Sequence, residues 1–260
     1  MHTKGTNRRA FLGRCLSTLA SYSVLRYAMG TGCLASEAQG LMGTWLRDMT
    51  DLCYDLNAKT ISPELWQDRM AILYRDIDPS DLMAFIDFEQ LIQRLQWPEA
   101  GAAIAKVPLP VVEGLKEPRG FGHKIFALKK GRAIVPHAHN NTVSAHFVLQ
   151  GAFHVRTYNR RFDLEQGDGY LVLEPSRDTV FGPGELLTMS DTRDNVHWLE
   201  ATTAQAVTFD VPISGISTNH HYLTPANKYG MIFIEPPKPT NAGPQAARVI
   251  GLAEALARFG

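Results

Sequence analysis

Between residues 41 and 97 the apolar positions recur at helical spacing. Trp45, Met49, Leu52, Cys53 and Leu56 fall on one face at a period of 3.6. Ser62-Pro63 supplies a capping residue followed by proline at the first helical position, ahead of Leu65, Arg69, Ile72 and Leu73. Asp78-Pro79 repeats the device before Leu82, Phe85, Ile86 and Leu95. Three helices are therefore predicted, with apolar faces that pack against the region that follows.

Prolines and glycines break the pattern from 98 to 122, and beyond them the period changes to two. Short strands are predicted at 123–128, 132–139, 145–150, 152–158, 169–173, 178–181, 196–201, 206–211 and 231–235. Gly151, Gly167-Asp168-Gly169 and Gly182-Pro183-Gly184 punctuate them. Many short strands between glycine turns point to an all-β sandwich or barrel. A proline-rich stretch follows at 236–239, and 246–259 reads as a short terminal helix.

Composition narrows the picture. With 45% hydrophobic and 20% charged residues, the chain can bury a substantial core. Its formal net charge of zero offers no basic footprint, so nucleic acid is not an expected partner. No apolar run reaches the roughly 18–20 residues that a membrane span needs.

The first 38 residues differ. Asn7-Arg8-Arg9-Ala10-Phe11-Leu12, followed by mildly apolar sequence at 16–28, looks like a twin-arginine export signal. The alternative is a basic amphipathic helix. No acidic residue precedes Glu37, and cleavage is expected near Ser36-Glu37-Ala38. Export would deliver the chain to the periplasm; without it the chain stays in the cytoplasm. Cleavage would remove Cys15 and Cys33 and leave Cys53 alone, so neither an internal disulfide nor a zinc–thiolate site is expected. The expected division is 1–38 as signal, 41–106 as a helical region, 107–236 as the β domain, and 237–260 as linker and terminal helix.

The chemistry concentrates at 136–151, PHAHNNTVSAHFVLQG. Residues i and i+2 of a strand point the same way, so His137 and His139 share a face. Two imidazoles there make two-thirds of a transition-metal site; the alternative is a hydrogen-bonded pair without metal. His197, in Asp194-Asn195-Val196-His197, is the best third ligand. Of the other histidines, His2 lies in the signal, His123 starts a strand, and His220-His221 sit in a polar loop. His146 and His154 are candidates to orient a ligand or substrate, and His146 also stands as an alternative ligand. Arg156 and Tyr158 share the face of His154 and are candidates to meet a carboxylate or a sulfur-bound oxygen; the alternative is an exposed strand face.

The 136–151 segment resembles the first motif of cupins, in which His-x-His is followed by Glu and then Gly. Gly151 stands at the matching distance, and Ser144 stands where the Glu would be. That departure argues against the three-His-one-Glu site of manganese cupins such as oxalate oxidases. The chain is also similar to thiol dioxygenases of the cysteamine dioxygenase and plant cysteine oxidase type, which lack that Glu and hold iron with three histidines. Val148-Leu149-Gln150-Gly151, His154-Val155-Arg156-Thr157-Tyr158-Asn159 and Asp194-Asn195-Val196-His197 carry this likeness, over about 120–211. Asp210 resembles a family aspartate but falls one residue late.

The resemblance implies a mainly β, cupin-type double-stranded β-helix (jelly-roll) barrel preceded by a small α-helical region. It implies a site with His137, His139 and His197 as ligands, Fe(II) as the metal (alternatives Zn, Mn and Ni), and dioxygen with a small molecule, a thiol foremost, as substrates. Three neutral imidazoles leave the double charge of the ion uncancelled, which favours an anionic ligand such as a thiolate. His154, Arg156, Tyr158 and Asp210 are the candidate catalytic residues. A non-catalytic periplasmic cupin that binds a metal or ligand is the competing expectation, and zinc in the same triad would give a hydrolytic or structural site.

Overall fold

The structure, a computed structural model, describes residues 31–115, 120–216, 220–228, 230–237 and 243–260, with side chains from Gly40 onward. The expected export segment lies outside the described residues, apart from helical backbone at 31–38, and so does part of the proline-rich stretch. Two units are present, 1–44 and 45–260. The first contributes the start of helix α1 (Thr31–Asn57). The second holds everything described below.

From Trp45 on, α1 buries the predicted face: Trp45, Met49, Leu52, Cys53 and Leu56. Helix α2 (Pro63–Arg75) starts as its sequence indicates, with Ser62 Oγ accepting from the Leu65 N–H. Its buried face is different from the expected one. Trp66, Met70 and Tyr74 point inward, while Leu65 and Ile72 are exposed. The aromatic stripe wins because Tyr74 packs edge-on to Trp45 (5.4 Å) and against Phe147 (4.9 Å). The third predicted helix is two, α3 (Pro79–Phe85) and α4 (Phe88–Gln93). Asp87 breaks it by adopting a left-handed φ of 53°.

The strands are β1 (Ala103–Lys106), β2 (Lys124–Lys129), β3 (Ala133–His139), β4 (Thr142–Gln150), β5 (Phe153–Arg160), β6 (Tyr170–Phe181), β7 (Leu186–Met189), β8 (Val196–Ala201), β9 (Gln205–Asp210), β10 (Ile213–Ser214), β11 (Met231–Glu235) and β12 (Gln245–Val249). One sheet runs β1-β2-β9-β4-β10, with β7 also on β4. In the other set the pairing closes on itself, β11-β12-β6-β5-β8-β3. All of these pairings are antiparallel. The fold is thus a mainly β, cupin-like jelly-roll barrel behind N-terminal helices. A buried apolar cluster that includes Leu128, Ile134, Val148, Phe153, Val155 and Leu199 draws on strands of both sets.

Three sequence expectations change. The strands foreseen at 169–173 and 178–181 are one, β6. The terminal helix is shorter: 245–249 pairs as β12 with both β6 and β11, and helix α5 (Leu252–Phe259) begins only after Gly251. Ala246 and Ala247 favour helix, so pairing with β6 and β11 overrides local propensity there. Strands β1, β7 and β10 went unanticipated, being only 2–4 residues long. Gly151 turns β4 into β5 at φ 69°, and a Cβ there would lie 2.1 Å from the Gln205 carbonyl oxygen.

Candidate metal centre

Cross-strand register builds two facing rows. On one wall His137 of β3 stands opposite His197 of β8, which stands opposite Thr157 of β5. His139 lies two residues further along β3, on the same face. An irregularity between Ile134 and His137 lets both the core residue Ile134 and the histidines face inward. On the opposite wall Lys124 of β2 pairs with Asp210 of β9, and Asp210 with His146 of β4. The neighbouring pair Phe147 and Phe209 points the other way, toward the helices.

Between the rows lies a cavity of about 330 Å³. His137, His139, His146, His197, Lys124, Ser144 and Asp210 give it polarity, and Ile104, Phe126, Ile134, Phe233, Leu252 and Leu256 give it apolar wall. The last two come from α5, so the terminal helix forms part of its boundary.

The three ring nitrogens offered by His137, His139 and His197 lie within 4.8 Å of one another. Each ring also places Nδ1 on a backbone carbonyl: His137 on Val135 (2.8 Å), His139 on Gly230 (3.2 Å) and His197 on Asn195 (3.3 Å). A carbonyl only accepts, so each Nδ1 carries the proton and each Nε2 keeps its lone pair. His197 Nε2 is fully buried and has no hydrogen-bond partner. Burial pushes the His137 imidazole down to about 4, and burial first, then the neighbouring rings, hold His139 and His197 well below the usual histidine range. Three neutral imidazoles with ring nitrogens this close together are the donor set of a transition ion such as Fe, Zn or Ni. The cluster fits such an ion, and its tautomers are held as metal-binding histidines require.

His146 is not part of that group. Its ring sits 5.8 Å from that of His197, and its Nε2 lies 3.5 Å from Asp210 Oδ1. Nδ1 meets Thr208 Oγ1 at 3.3 Å. Burial lowers its pKa, with the Asp210 carboxylate acting against that. Asp210 also accepts from the Ser144 hydroxyl and lies 3.5 Å from Lys124 Nζ. Asp210 thus faces the cavity despite its offset by one residue from the family pattern. Ser144 binds it from the position where the cupin Glu would stand.

The other expected catalytic residues do not line the cavity. Thr157 takes the inward place opposite His197, so alternation sends His154, Arg156 and Tyr158 to the other face of β5. His154 pairs with Asp178; Arg156 pairs with Glu200 at 3.3 Å and lies 4.0 Å over the Trp198 ring. Tyr158 is buried among Ala138, Leu171 and Val196. Burial raises its hydroxyl pKa. Lys124 and Phe126 were missed. Alternation around them was legible, but only the pairing of β2 with β9 tells which face is inner.

No helix among the described residues is long and apolar enough to cross a membrane. No family model and no curated protein matches the chain. Solved structures similar to it include KdgF from Halomonas sp., 18% identical with a TM-score of 0.34, covering 49% of this chain and 89% of that one. A predicted oxalate decarboxylase from Thermotoga maritima is 14% identical, with a TM-score of 0.30 and coverage of 44% and 80%. An oxalate oxidase is 17% identical, with a TM-score of 0.33 and coverage of 45% and 53%. Likeness at this level carries no argument, so the fold rests on the strand pairing above.

Proposed function

We propose that the chain is an iron(II)-dependent, cupin-type oxygenase that joins dioxygen to a small molecule, with conversion of a thiol to its sulfinate as the leading reaction. The observation that carries this reading is the donor set: three neutral imidazoles, His137 and His197 buried and His139 half-buried, each locked by a backbone carbonyl, with no carboxylate among them. Bound iron would supply the redox chemistry with dioxygen that no side chain here can perform. The addition balances as written, since a thiol plus one O2 has the composition of the sulfinic acid.

The residues of this chain have the remaining tasks. His137, His139 and His197 would hold the ion. Lys124 can meet a substrate carboxylate and Asp210 a substrate ammonium; the two already stand 3.5 Å apart. Ser144 and His146 fix the Asp210 carboxylate. Ile134, Phe233, Leu252 and Leu256 give the site an apolar wall. His154, Arg156 and Tyr158 have no part in this scheme.

The test is oxygen uptake by anaerobically iron-loaded protein with cysteine, cysteamine, 3-mercaptopropionate and a peptide with N-terminal cysteine, with sulfinate followed by mass spectrometry. Equal consumption of one thiol and O2 is expected. Absence of uptake with all four would refute the thiol reading. We further propose that 1–38 directs export by the twin-arginine route, which carries folded proteins and so permits loading of a metal beforehand. A secreted form whose mass matches cleavage near Ser36 is expected; a periplasmic fraction without the chain refutes it.

A further inference from the structure

A second polar cluster lies beside His139, outside the cavity. The two-residue turn between β3 and β4 holds Asn140 and Asn141, the latter at φ 55°. The Asn141 N–H donates to Asp191 Oδ2 (3.1 Å) and to the Tyr222 hydroxyl oxygen (2.8 Å), and that hydroxyl donates to the same Asp191 oxygen. Asn195, four residues past Asp191, donates through Nδ2 to the carbonyls of Ser190 (3.2 Å) and His139 (2.9 Å). Asn140 Nδ2 donates to the Thr224 carbonyl at 3.0 Å. Three separate stretches of chain, 140–141, 190–195 and 222–224, are thereby tied together.

Four side-chain oxygens in this cluster are buried without a hydrogen-bond partner: Asn141 Oδ1, Asp191 Oδ1, Asn195 Oδ1 and Thr224 Oγ1. Asp191 is 1% exposed, Asn195 1% and Thr224 2%. Amide and carboxylate oxygens only accept, so they cannot satisfy one another. Turning the Asn195 amide over gives no relief, because its Nδ2 already serves two carbonyls. No Lys or Arg among the described residues pairs with Asp191. Asp191 is hydrogen-bonded through Oδ2 alone; its Oδ1, buried on a segment tied to those that carry the other orphaned oxygens, is costly unless a positive centre joins it.

We propose that Asp191, Asn141, Asn195 and Thr224 are ligands of a hard, oxygen-bound cation of the calcium class. Ca2+ takes carboxylate, amide and backbone oxygens in irregular arrangements. The cluster supplies oxygen alone, whereas the neighbouring triad supplies nitrogen alone, so the two sites select different ions. With one carboxylate the site is weak, with Kd on the order of 10⁻⁴–10⁻³ M. The ion would pin the turn that follows His139 and the turn that precedes His197.

The test uses the full chain stripped with chelator. At constant ionic strength, ~10 mM Ca2+ is expected to raise Tm by roughly 3–8 °C over NaCl. The response is expected to persist in His137→Ala, which separates it from the triad, and to vanish in Asp191→Asn. Asn141→Asp sacrifices no described side-chain hydrogen bond, and Asp is tolerated at its φ. With a cation present, the added carboxylate lowers the Ca2+ midpoint roughly tenfold. Without one, the added carboxylate repels the buried Asp191 and Tm falls whatever the Ca2+ concentration. Equal Tm in Ca2+ and NaCl, or a response that survives Asp191→Asn, would overturn the proposal; if that variant does not fold, Asn141→Asp decides alone.

Discussion

Replacing His197 by leucine separates a ligand histidine from a structural one by the sign of its effect. In the metal-free protein His197 Nε2 is fully buried and unpartnered. An orphaned acceptor of this kind costs about 1–3 kcal/mol. The only return is the Nδ1–H bond to the Asn195 carbonyl, long at 3.3 Å and worth about 0.5–1.5 kcal/mol. Leucine is close in size and buries cleanly, so little cavity term enters. The metal-free variant should therefore be more stable than the metal-free parent by about 1 kcal/mol, a rise in Tm of roughly 2–4 °C. Added iron(II) should reverse the order. It stabilises the parent by mass action, about 2.7 kcal/mol at a hundredfold excess over Kd, and does nothing for a variant that has lost a ligand. Calorimetry with chelator and with anaerobic iron, beside elemental analysis of retained metal, reads both halves. A chelated variant that melts well below its parent would mean that His197 is a satisfied structural residue, and the argument from its orphaned nitrogen would fail.

Other consequences can be checked independently. Arg156→Ala, on the outer face of β5, should leave metal content unchanged and oxygen uptake within about twofold, whereas Lys124→Met should raise KM for carboxylate-bearing thiols by tenfold or more, the worth of about 1.4 kcal/mol of charge-assisted contact. The Arg160–Glu165 pair has side chains 0% and 1% exposed and two bonds of 2.6 and 2.9 Å, so Glu165→Ala should cost about 3–5 kcal/mol in urea unfolding, while exchange of both partners for Met and Leu should cost far less. Burial pushes the Cys53 thiol up to about 12; in protein with Cys15 and Cys33 changed to serine, a disulfide reagent at pH 8 should therefore label nothing until denaturant is added.

What was legible in the sequence follows from how local each feature is. Helix starts at Ser62-Pro63 and Asp78-Pro79 are written in adjacent residues, and both occur where expected. The His137/His139 pair needs only strand alternation. His197 was legible only as the best of several candidate histidines, which the resemblance then supported, since it lies 58 positions beyond His139 and only the pairing of β3 with β8 brings it opposite His137. The choice of face on β5 failed for the same reason. Alternation shows that His154, Arg156 and Tyr158 go together, but one irregularity inverts which side they take, and β3, β4 and β6 each have a register shift against a neighbour. The acceptor cluster around Asp191 was wholly illegible, because its oxygens come from three loops that no periodicity connects.

The offset of Asp210 shows how tightly the site is tied to pairing. A residue one place late along a strand normally changes sides, yet Asp210 faces the cavity and the preceding Phe209 faces the helices. Strand β9 pairs with β2 without irregularity, whereas β4 carries a register shift against it between Val148 and Gln150, beside Gly151. Gly151 cannot be replaced without driving a Cβ into the Gln205 carbonyl oxygen, so the turn beside that shift is held by close backbone contact. Slippage by one place would put the Phe209 ring beside His146 and expose a carboxylate to the aromatic packing of Trp45, Tyr74 and Phe147. Burying that charge unpaired costs several kcal/mol, against a total stability of about 5–15. The helical front therefore acts on the site from behind: its aromatic face selects the register that turns Asp210 toward the histidines.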